Sequence, residues 1–261
     1  MIWREVRRGL QRFLLDPILA FFTFVGECTI LLFESVRRLP ARPFESGELI
    51  TQMAAIGVAS VPIVALTTFS SGAVLALYTT EVLVNYGATS LAGGTIGLAV
   101  TREIAPVLAG VMVAARSGSA MAAQIGTMKV TEQIDALRVL NVHPTNYLLI
   151  PRLLAGMLML PVLALIGVYA GMLGGYLVSV AGGVPSGSFL QSVQQWIEPS
   201  DFLGGMQKTV VFGVLIALVA CQQGLRTQEG AVGVGSSTTN AVVISMVLIY
   251  VVDYFLSDLI Y

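Results

Sequence analysis

Long apolar runs alternate with short polar segments along this chain, and the pattern predicts a bundle of membrane-spanning helices. About 20 apolar residues in an α-helix cross the hydrocarbon core of a bilayer. The runs that reach this length are 49–78, 91–115, 148–180, 202–222 and 241–259. The sequence therefore predicts an all-α integral membrane protein with five transmembrane helices.

A sixth apolar run, 18–33, is shorter and contains Glu27. As a helix rising 1.5 Å per residue it reaches about 24 Å. Residues 1–15 before it repeat apolar side chains at helical spacing with arginines between them, as in helices that lie on an anionic membrane surface. We interpret 1–43 as a segment of amphipathic and interfacial or re-entrant helices, and 44–261 as a five-span domain.

Basic residues predict the orientation. They occur before the first long run, after the second and after the fourth, whereas the other two loops have no Lys or Arg except Lys208 at the edge of the fourth run. Because cytoplasmic loops carry the excess of Lys and Arg, we expect a cytoplasmic N-terminus and a periplasmic C-terminus. The basic residues expected in the cytoplasm are Arg4, Arg7, Arg8, Arg12, Arg37, Arg38, Arg42, Arg116, Lys129, Arg138, Arg152 and Arg226.

Composition supports the membrane assignment and argues against an enzyme. Hydrophobic residues make up 56% of the chain and charged residues 11%, against about 25% charged residues in soluble domains. A phosphate-binding P-loop needs a lysine after a glycine, and neither Lys129 nor Lys208 follows one. His143 is the single histidine and only two cysteines occur, Cys28 and Cys221. We therefore expect no catalytic site and no metal or other cofactor in this chain.

Three of the charged residues within predicted spans are candidates for a functional role. Arg102 and Glu103 fall near the middle of the second run, where a charged side chain costs about 2.5–3.5 kcal/mol on insertion scales. Neighbouring residues point about 100° apart on a helix, so they cannot both face one partner. They either form interhelical ion pairs or place charge in a cavity that meets a lipid headgroup. Asp253 in the fifth run is either a satisfied carboxyl or a proton-coupling group.

A short polar helix is predicted between the second and third spans, at about 128–141. Apolar and charged residues divide its surface, which is a pattern of docking helices. The alternative is a connector that lies on its own membrane domain. The apolar side has Val130, Ile134 and Leu137, and the charged side has Glu132, Asp135 and Arg138.

Glycines recur every four residues in the third span, at Gly167, Gly171 and Gly175. Small residues at this spacing let a second helix backbone approach closely. The predicted contact is helix packing, either within the subunit or across a dimer interface.

Several of these elements occur together in one order. They are SSGAVLAL at 70–77, TREIAPVLAGVMVAARSGSAMAAQIGTMKVTEQIDAL at 101–137, the dipeptide HP, and PRLLAG at 151–156. In these segments the chain resembles the MlaE/YrbE family, the permease subunits of Mla/Mce-type lipid ABC transporters. The resemblance extends from about Phe44 to the C-terminus.

The resemblance implies an ATP-driven permease that moves lipid, with phospholipid the expected class, between the inner and outer membranes. It implies a homodimer in a bacterial inner membrane, with ATP and Mg bound by a partner ABC ATPase. A periplasmic MCE-domain protein and a small STAS-like regulatory subunit are further implied partners, and nucleic acid is not one.

The resemblance also assigns roles to residues. Where the family commonly has an acidic residue, this chain has Gln124; His143 replaces Asp or Asn, and Tyr78 stands where Gln is frequent. The implied lipid-binding residues are Leu75, Tyr78, Tyr86, Arg102 and Glu103. The implied ATPase-coupling residues are Glu132, Gln133, Ile134, Asp135, Leu137 and Arg138.

Two other classes of function stay open from the residues alone. An ion-coupled secondary transporter or channel could use Arg102, Glu103 and Asp253 as a relay, but such proteins often contain inverted repeats, and none is evident here. A membrane scaffold that recruits a partner without transporting anything is the other class.

Overall fold

The structure is a computed structural model that describes residues 16–39 and 46–261, with side chains described from residue 19 onward. Within these ranges the chain is helical and has no strand, which confirms the all-α prediction. The predicted amphipathic helix at 1–15 and several of the basic residues lie outside the described residues. The division at residue 43 and the orientation of the termini stay predictions. The basic residues outside the described ranges are Arg4, Arg7, Arg8, Arg12 and Arg42.

The described chain contains eleven α-helices joined by short turns or by single π-helical or 3₁₀ turns. The 3₁₀ turns are Val58–Ser60 and Thr89–Leu91, and the π turns are Val100–Ile104, Ala114–Gly118 and Thr145–Leu149. The α-helices are α1 Asp16–Arg38, α2 Ser46–Ile56, α3 Val61–Asn85, α4 Ala92–Ala99, α5 Ala105–Val113, α6 Ser119–Val130, α7 Gln133–Val139, α8 Ile150–Ala181, α9 Ser186–Trp196, α10 Pro199–Leu225 and α11 Gly230–Ile260.

Six helical runs among the described residues are long and apolar enough to cross a membrane, and five of them contain the five predicted spans. The sixth run is α1, which extends further than the predicted 18–33. By length and composition α1 could cross, so its interfacial or re-entrant placement stays a prediction. The six runs are Leu19–Arg38, Ser46–Asn85, Thr89–Val130, Thr145–Ala181, Pro199–Leu225 and Gly230–Ile260.

Two helical runs extend beyond the predicted spans. The second continues past residue 115, because the Gly/Ser/Ala segment after it forms a π turn and then α6. Its small side chains allow close packing, and Ser117 Oγ lies 3.3 Å from Ser60 Oγ. The helix that contains the fifth predicted span begins at Gly230, because the Gly/Ser/Thr stretch before residue 241 is also helical.

Glycines set the distance between α8 and α3. A Cβ on Gly72 of α3 would overlap the carbonyl oxygen of Gly171. Gly167 faces the Thr68 methyl group, with 3.2 Å between that carbon and an added Cβ, and Gly175 faces Ile96. The predicted glycine ladder therefore makes its contacts within the subunit.

A second close crossing joins α8 to α10. A Cβ on Gly156 would lie 2.7 Å from the Gly213 carbonyl oxygen, and a Cβ on Gly213 would overlap the Gly156 carbonyl. Around the crossing lies the largest cluster of buried apolar side chains, including Leu160, Phe212 and Ile216. The crossing fixes how α10 is positioned against the centre of the bundle.

Candidate functional site

The charged residues of the second span pair with the first third of α10. Asp201 and Lys208 lie seven residues, about two turns, apart on α10 and so share a face. The π turn Val100–Ile104 presents Arg102 to the first and Glu103 to the second. Arg102 donates from Nη2 and Nε to Asp201 Oδ1 at 2.6 and 2.9 Å, and Lys208 Nζ donates to Glu103 Oε1 at 2.8 Å.

Lys208 is the centre of this cluster. Its side chain is 0% exposed, which its predicted position near the edge of a span did not indicate. The helix begins at Pro199, which carries Lys208 inside the bundle. Nζ also donates to Ser257 Oγ at 2.6 Å and to the Arg102 carbonyl oxygen at 3.1 Å. It lies 3.1 Å from Asp253 Oδ1, an ionic contact outside hydrogen-bonding angles.

The chain terminus closes the other end of the cluster. The Tyr261 hydroxyl donates to the Asp201 carbonyl oxygen at 3.0 Å, and the Arg102 guanidinium carbon lies 4.4 Å from the Tyr261 ring centroid. Asp201 also forms a capping box with Glu198, whose amide donates to Asp201 Oδ2 at 2.9 Å. These contacts hold the start of α10, the end of α11 and the π turn together.

Exposure within the cluster is uneven. The Asp201 side chain is 5% exposed, whereas that of Glu103 is 44% exposed. Buried charges persist when they are paired, and Asp201 and Lys208 meet this condition. The interhelical ion pairs considered for Arg102 and Glu103 are both present, and Glu103 in addition has a face that is free to meet another molecule.

That face lines a cavity of about 340 Å³ between α3, α5 and α11, which we call the α3–α11 cavity. Apolar side chains form most of its wall, and two carboxylates lie at one end. A cavity of this kind suits a molecule with an apolar body and a polar end. Its lining residues are Ser71, Glu103, Ile104, Val107, Leu108, Tyr250 and Asp253.

The other predicted lipid-binding residues do not line this cavity. Arg102 is directed toward Asp201, and Leu75 is partly buried against a core cluster formed by α3, α4 and α8. Tyr78 and Tyr86 are exposed along and just beyond α3. Their roles stay predictions.

The short polar helix predicted at about 128–141 corresponds to the end of α6 and to α7, the seven residues Gln133–Val139. Ile134 is buried in the main core and Leu137 packs against it, so these two side chains hold α7 to its own domain. Asp135 forms ion pairs with Lys129 at 3.5 Å and with Arg138 at 3.1 Å.

The opposite face of α7 is open. Glu132 and Gln133 are exposed, and Val139 and Leu140 are 86% and 72% exposed. Val139 and Leu140 add an exposed apolar surface to this face. They were not predicted from the sequence, where the open face of the helix was identified by its charged residues alone. Glu132 and Asn141, on either side of α7, have φ values of 59° and 58°. Such left-handed residues are uncommon outside glycine and often occur at functional sites.

Gln124 contacts a buried arginine. Arg152 is 1% exposed, and it donates from Nη2 to Gln124 Oε1 at 2.8 Å and from Nη1 to the Leu148 carbonyl oxygen at 2.7 Å. The amide oxygen thus occupies the position where an acidic residue would form an ion pair. Among the described residues there is no group of three or more His, Cys, Asp or Glu able to hold a metal ion.

Comparison with known proteins agrees with this architecture. The family profile described as Permease MlaE matches residues 49–259. A probable ABC transporter permease protein of Rickettsia conorii is 42% identical over 240 residues, which is 92% of this chain and 93% of the relative. One from Synechocystis is 44% identical over 211 residues, covering 80% of each chain. One from Pyropia yezoensis is 35% identical over 258 residues, covering 98% and 94%.

The match covers the π turn with its charged pair, α7 and the five long runs that follow α1. The names of these relatives favour an ATP-driven transporter over the ion-coupled alternative. This multi-pass membrane protein therefore belongs to the MlaE permease family and is a permease subunit of an ABC transporter.

Proposed function

We propose that the protein moves lipid, with phospholipid as the substrate class, between the inner and outer membranes of a bacterium from a site in the inner membrane. The α3–α11 cavity is the observation that carries this proposal. Its apolar wall suits acyl chains, and Glu103 and Asp253 place charge where a headgroup would lie.

The energetics of lipid transfer support a route of this kind. A two-chain lipid exposes about thirty CH₂ groups, and at roughly 0.8 kcal/mol each their passage through water would cost on the order of 24 kcal/mol. A transporter therefore has to offer a continuous apolar surface. The cavity between α3 and α11 is the segment of that route within this chain.

Filling the cavity should stop lipid binding without unfolding the bundle. Leu108→Trp adds an indole to the apolar wall, so we expect bound phospholipid and transport to fall about tenfold, equivalent to roughly 1.4 kcal/mol. Bound lipid is measured by mass spectrometry of the complex purified in mild detergent. Leu158→Trp, at an exposed apolar position of α8, is the matched control. Equal lipid content and equal transport in both variants would contradict the proposal.

ATP hydrolysis is the task of a partner ATPase in this class of transporter, and we propose that the partner, with its ATP and Mg, docks on the open face of α7. The inward anchors Ile134 and Leu137 support this role, since they let a push on α7 reach the core. The exposed Glu132, Gln133, Val139 and Leu140 form the proposed contact surface.

Charge on this surface should release the ATPase. We expect Val139→Asp and Glu132→Lys each to lower the amount of ATPase that copurifies by about tenfold, because each places an unfavourable charge in an otherwise matched contact. Thermal unfolding of the permease should not change, since both side chains are exposed. Val139→Ile is the conservative control. Full copurification with both charged variants would exclude this face as the docking surface.

The assembly proposed around the subunit contains a second copy of it. Tyr254, Phe255 and Leu259 are exposed on the last turns of α11 and support a further contact there. A periplasmic MCE-domain protein would continue the apolar route toward the outer membrane. A small STAS-like subunit would act through the ATPase rather than through this chain.

A further inference from the structure

A second and larger cavity lies between α1 and the opposite end of α11. It has a volume of about 770 Å³, within the range of roughly 300–1,000 Å³ that is usual for small-molecule sites. Phe21 and Phe24 of α1 form one wall, and Val243 and Val247 of α11 form the other. We call this cavity the α1–α11 groove.

One end of the groove is polar and carries both signs of charge. Arg226 lies just after α10, and Glu229 lies in the turn before α11, where its φ is 64°. Ser236 and Asn240, about two and three turns into α11, add hydrogen-bonding groups to the same lining. The groove therefore joins an apolar wall to a polar end that holds a cation and an anion.

The Arg226 guanidinium at this end of the groove is available to a ligand. Glu27 Oε2 accepts a hydrogen bond from Gln222 Nε2 at 2.6 Å, and it approaches Arg226 Nε only to 3.7 Å. The Arg226 side chain is 53% exposed and makes no hydrogen bond to any described residue. A guanidinium has five donors in a planar fork that matches phosphate oxygens.

The balance of charge limits the class of ligand. Two carboxylates, Glu27 and Glu229, lie near one guanidinium, and Glu229 has no ion-pair partner among the described residues. A headgroup with phosphate alone would bring its negative charge toward Glu229. A headgroup with both phosphate and ammonium would satisfy Arg226 and Glu229 together.

We propose that the α1–α11 groove binds a zwitterionic phospholipid with a primary ammonium group. Its phosphate accepts from Arg226, its ammonium donates to Glu229, and one acyl chain lies between the α1 phenylalanines and the α11 valines. This inference rests on the proposed lipid transport. It adds a second lipid site, separate from the α3–α11 cavity, and a headgroup class.

The test uses the permease with its ATPase partner in vesicles of phosphatidylethanolamine and phosphatidylglycerol in equal amounts. Each lipid is supplied in turn as a probe with a photoreactive diazirine in the acyl chain, and labelled peptides are mapped by mass spectrometry. We expect the ethanolamine probe to label peptides with Phe24 and Val247 at least fivefold more than the glycerol probe. Glu229→Gln should remove this preference, and Arg226→Ala should lower labelling by both probes.

Glu81→Gln, an exposed carboxylate of α3 away from the groove, is the matched control and should leave labelling unchanged. Equal labelling by the two probes, or a preference that persists in Glu229→Gln, would overturn the proposal. Crosslinks from the groove to a second copy of the chain in place of lipid would also overturn it. If Leu108→Trp lowers bound lipid while the groove stays unlabelled, only the groove fails. If Leu108→Trp leaves bound lipid unchanged and the groove is also unlabelled, the proposed lipid function itself fails.

Discussion

Lys208→Met is expected to lower the free energy of unfolding by about 3–5 kcal/mol, the range for removing one member of a buried ion pair. Methionine keeps most of the side-chain volume, so the loss comes from charge. Without the ammonium, Glu103 and Asp253 face each other with no cation between them, and the Ser257 hydroxyl loses a partner. We expect the variant to accumulate poorly in the membrane.

Stability can be followed with a thiol-reactive dye in a Cys28→Ser background, because Cys28 is partly exposed whereas Cys221 is fully buried and reacts only when the bundle opens. Lys129→Met is the control, since its ion pair with Asp135 is partly exposed and such pairs contribute about 0–1 kcal/mol. Adding Asp253→Asn to Lys208→Met should restore part of the stability by removing the orphaned charge. An unfolding temperature equal to that of the Lys129 variant would show that the cluster is not held by Lys208.

Gly213→Val should separate α8 from α10 and cost about 3 kcal/mol or more, at the upper end for overpacking. The added Cβ meets the Gly156 carbonyl group and the Met157 amide. These are backbone atoms of a helix and cannot move aside as the end of a side chain could. Because α10 also carries Asp201 and Lys208, the shift would weaken the ion-paired cluster about two helical turns away.

Gly235→Val provides the comparison for this change. It makes the same substitution in a helix, but nothing lies within 4 Å of the added Cβ. Thermal unfolding of the two purified variants, followed by light scattering, separates helix propensity from the lost crossing. If both variants unfold at the same temperature, the crossing is looser than its geometry indicates.

The spans were predictable because hydropathy is a local property. Each of the five predicted runs falls inside an observed helical run. The observed helices extend beyond the predicted spans where a segment of low hydropathy is nevertheless helical. Residues 230–240 are rich in Gly, Ser and Thr, yet they are part of α11. Their hydroxyl groups have partners within the fold: Ser236 and Thr238 donate to carbonyl oxygens of the preceding turn, and Ser237 accepts from Thr227 Oγ1 at 2.8 Å.

The ion-paired cluster was predictable only in part. A charged pair in a span requires partners, so interhelical ion contacts were a stated alternative for Arg102 and Glu103. Which residues form ion pairs with Arg102 and Glu103 depends on the register of α10, about one hundred positions later in the chain. The seven-residue spacing of Asp201 and Lys208 was a usable signal, because it puts opposite charges on one helical face. Because the predicted span begins at residue 202, one position after Asp201, the pair was not recognised from the sequence.

The exposed apolar surface of α7 was not predicted from the sequence, for a different reason. The alternation of apolar and charged residues predicted the inward direction of Ile134 and Leu137, whereas Val130, predicted on the same apolar side, is exposed. Val139 and Leu140 fall where the helix ends, and periodicity cannot orient residues beyond the last turn. Asn141, whose φ is 58°, follows them directly after the end of the helix.

The π turn at Val100–Ile104 lets the second span tolerate a one-residue deletion that a regular α-helix would not. A π turn is held by i→i+5 hydrogen bonds in place of the i→i+4 bonds of an α-helix, so deletion of a single residue there could be absorbed by reversion to α geometry. The helix on either side would survive, while Arg102 and Glu103 would rotate away from α10. Natural selection could thus relocate charge inside the bilayer through a one-codon change, leaving the surrounding scaffold in place.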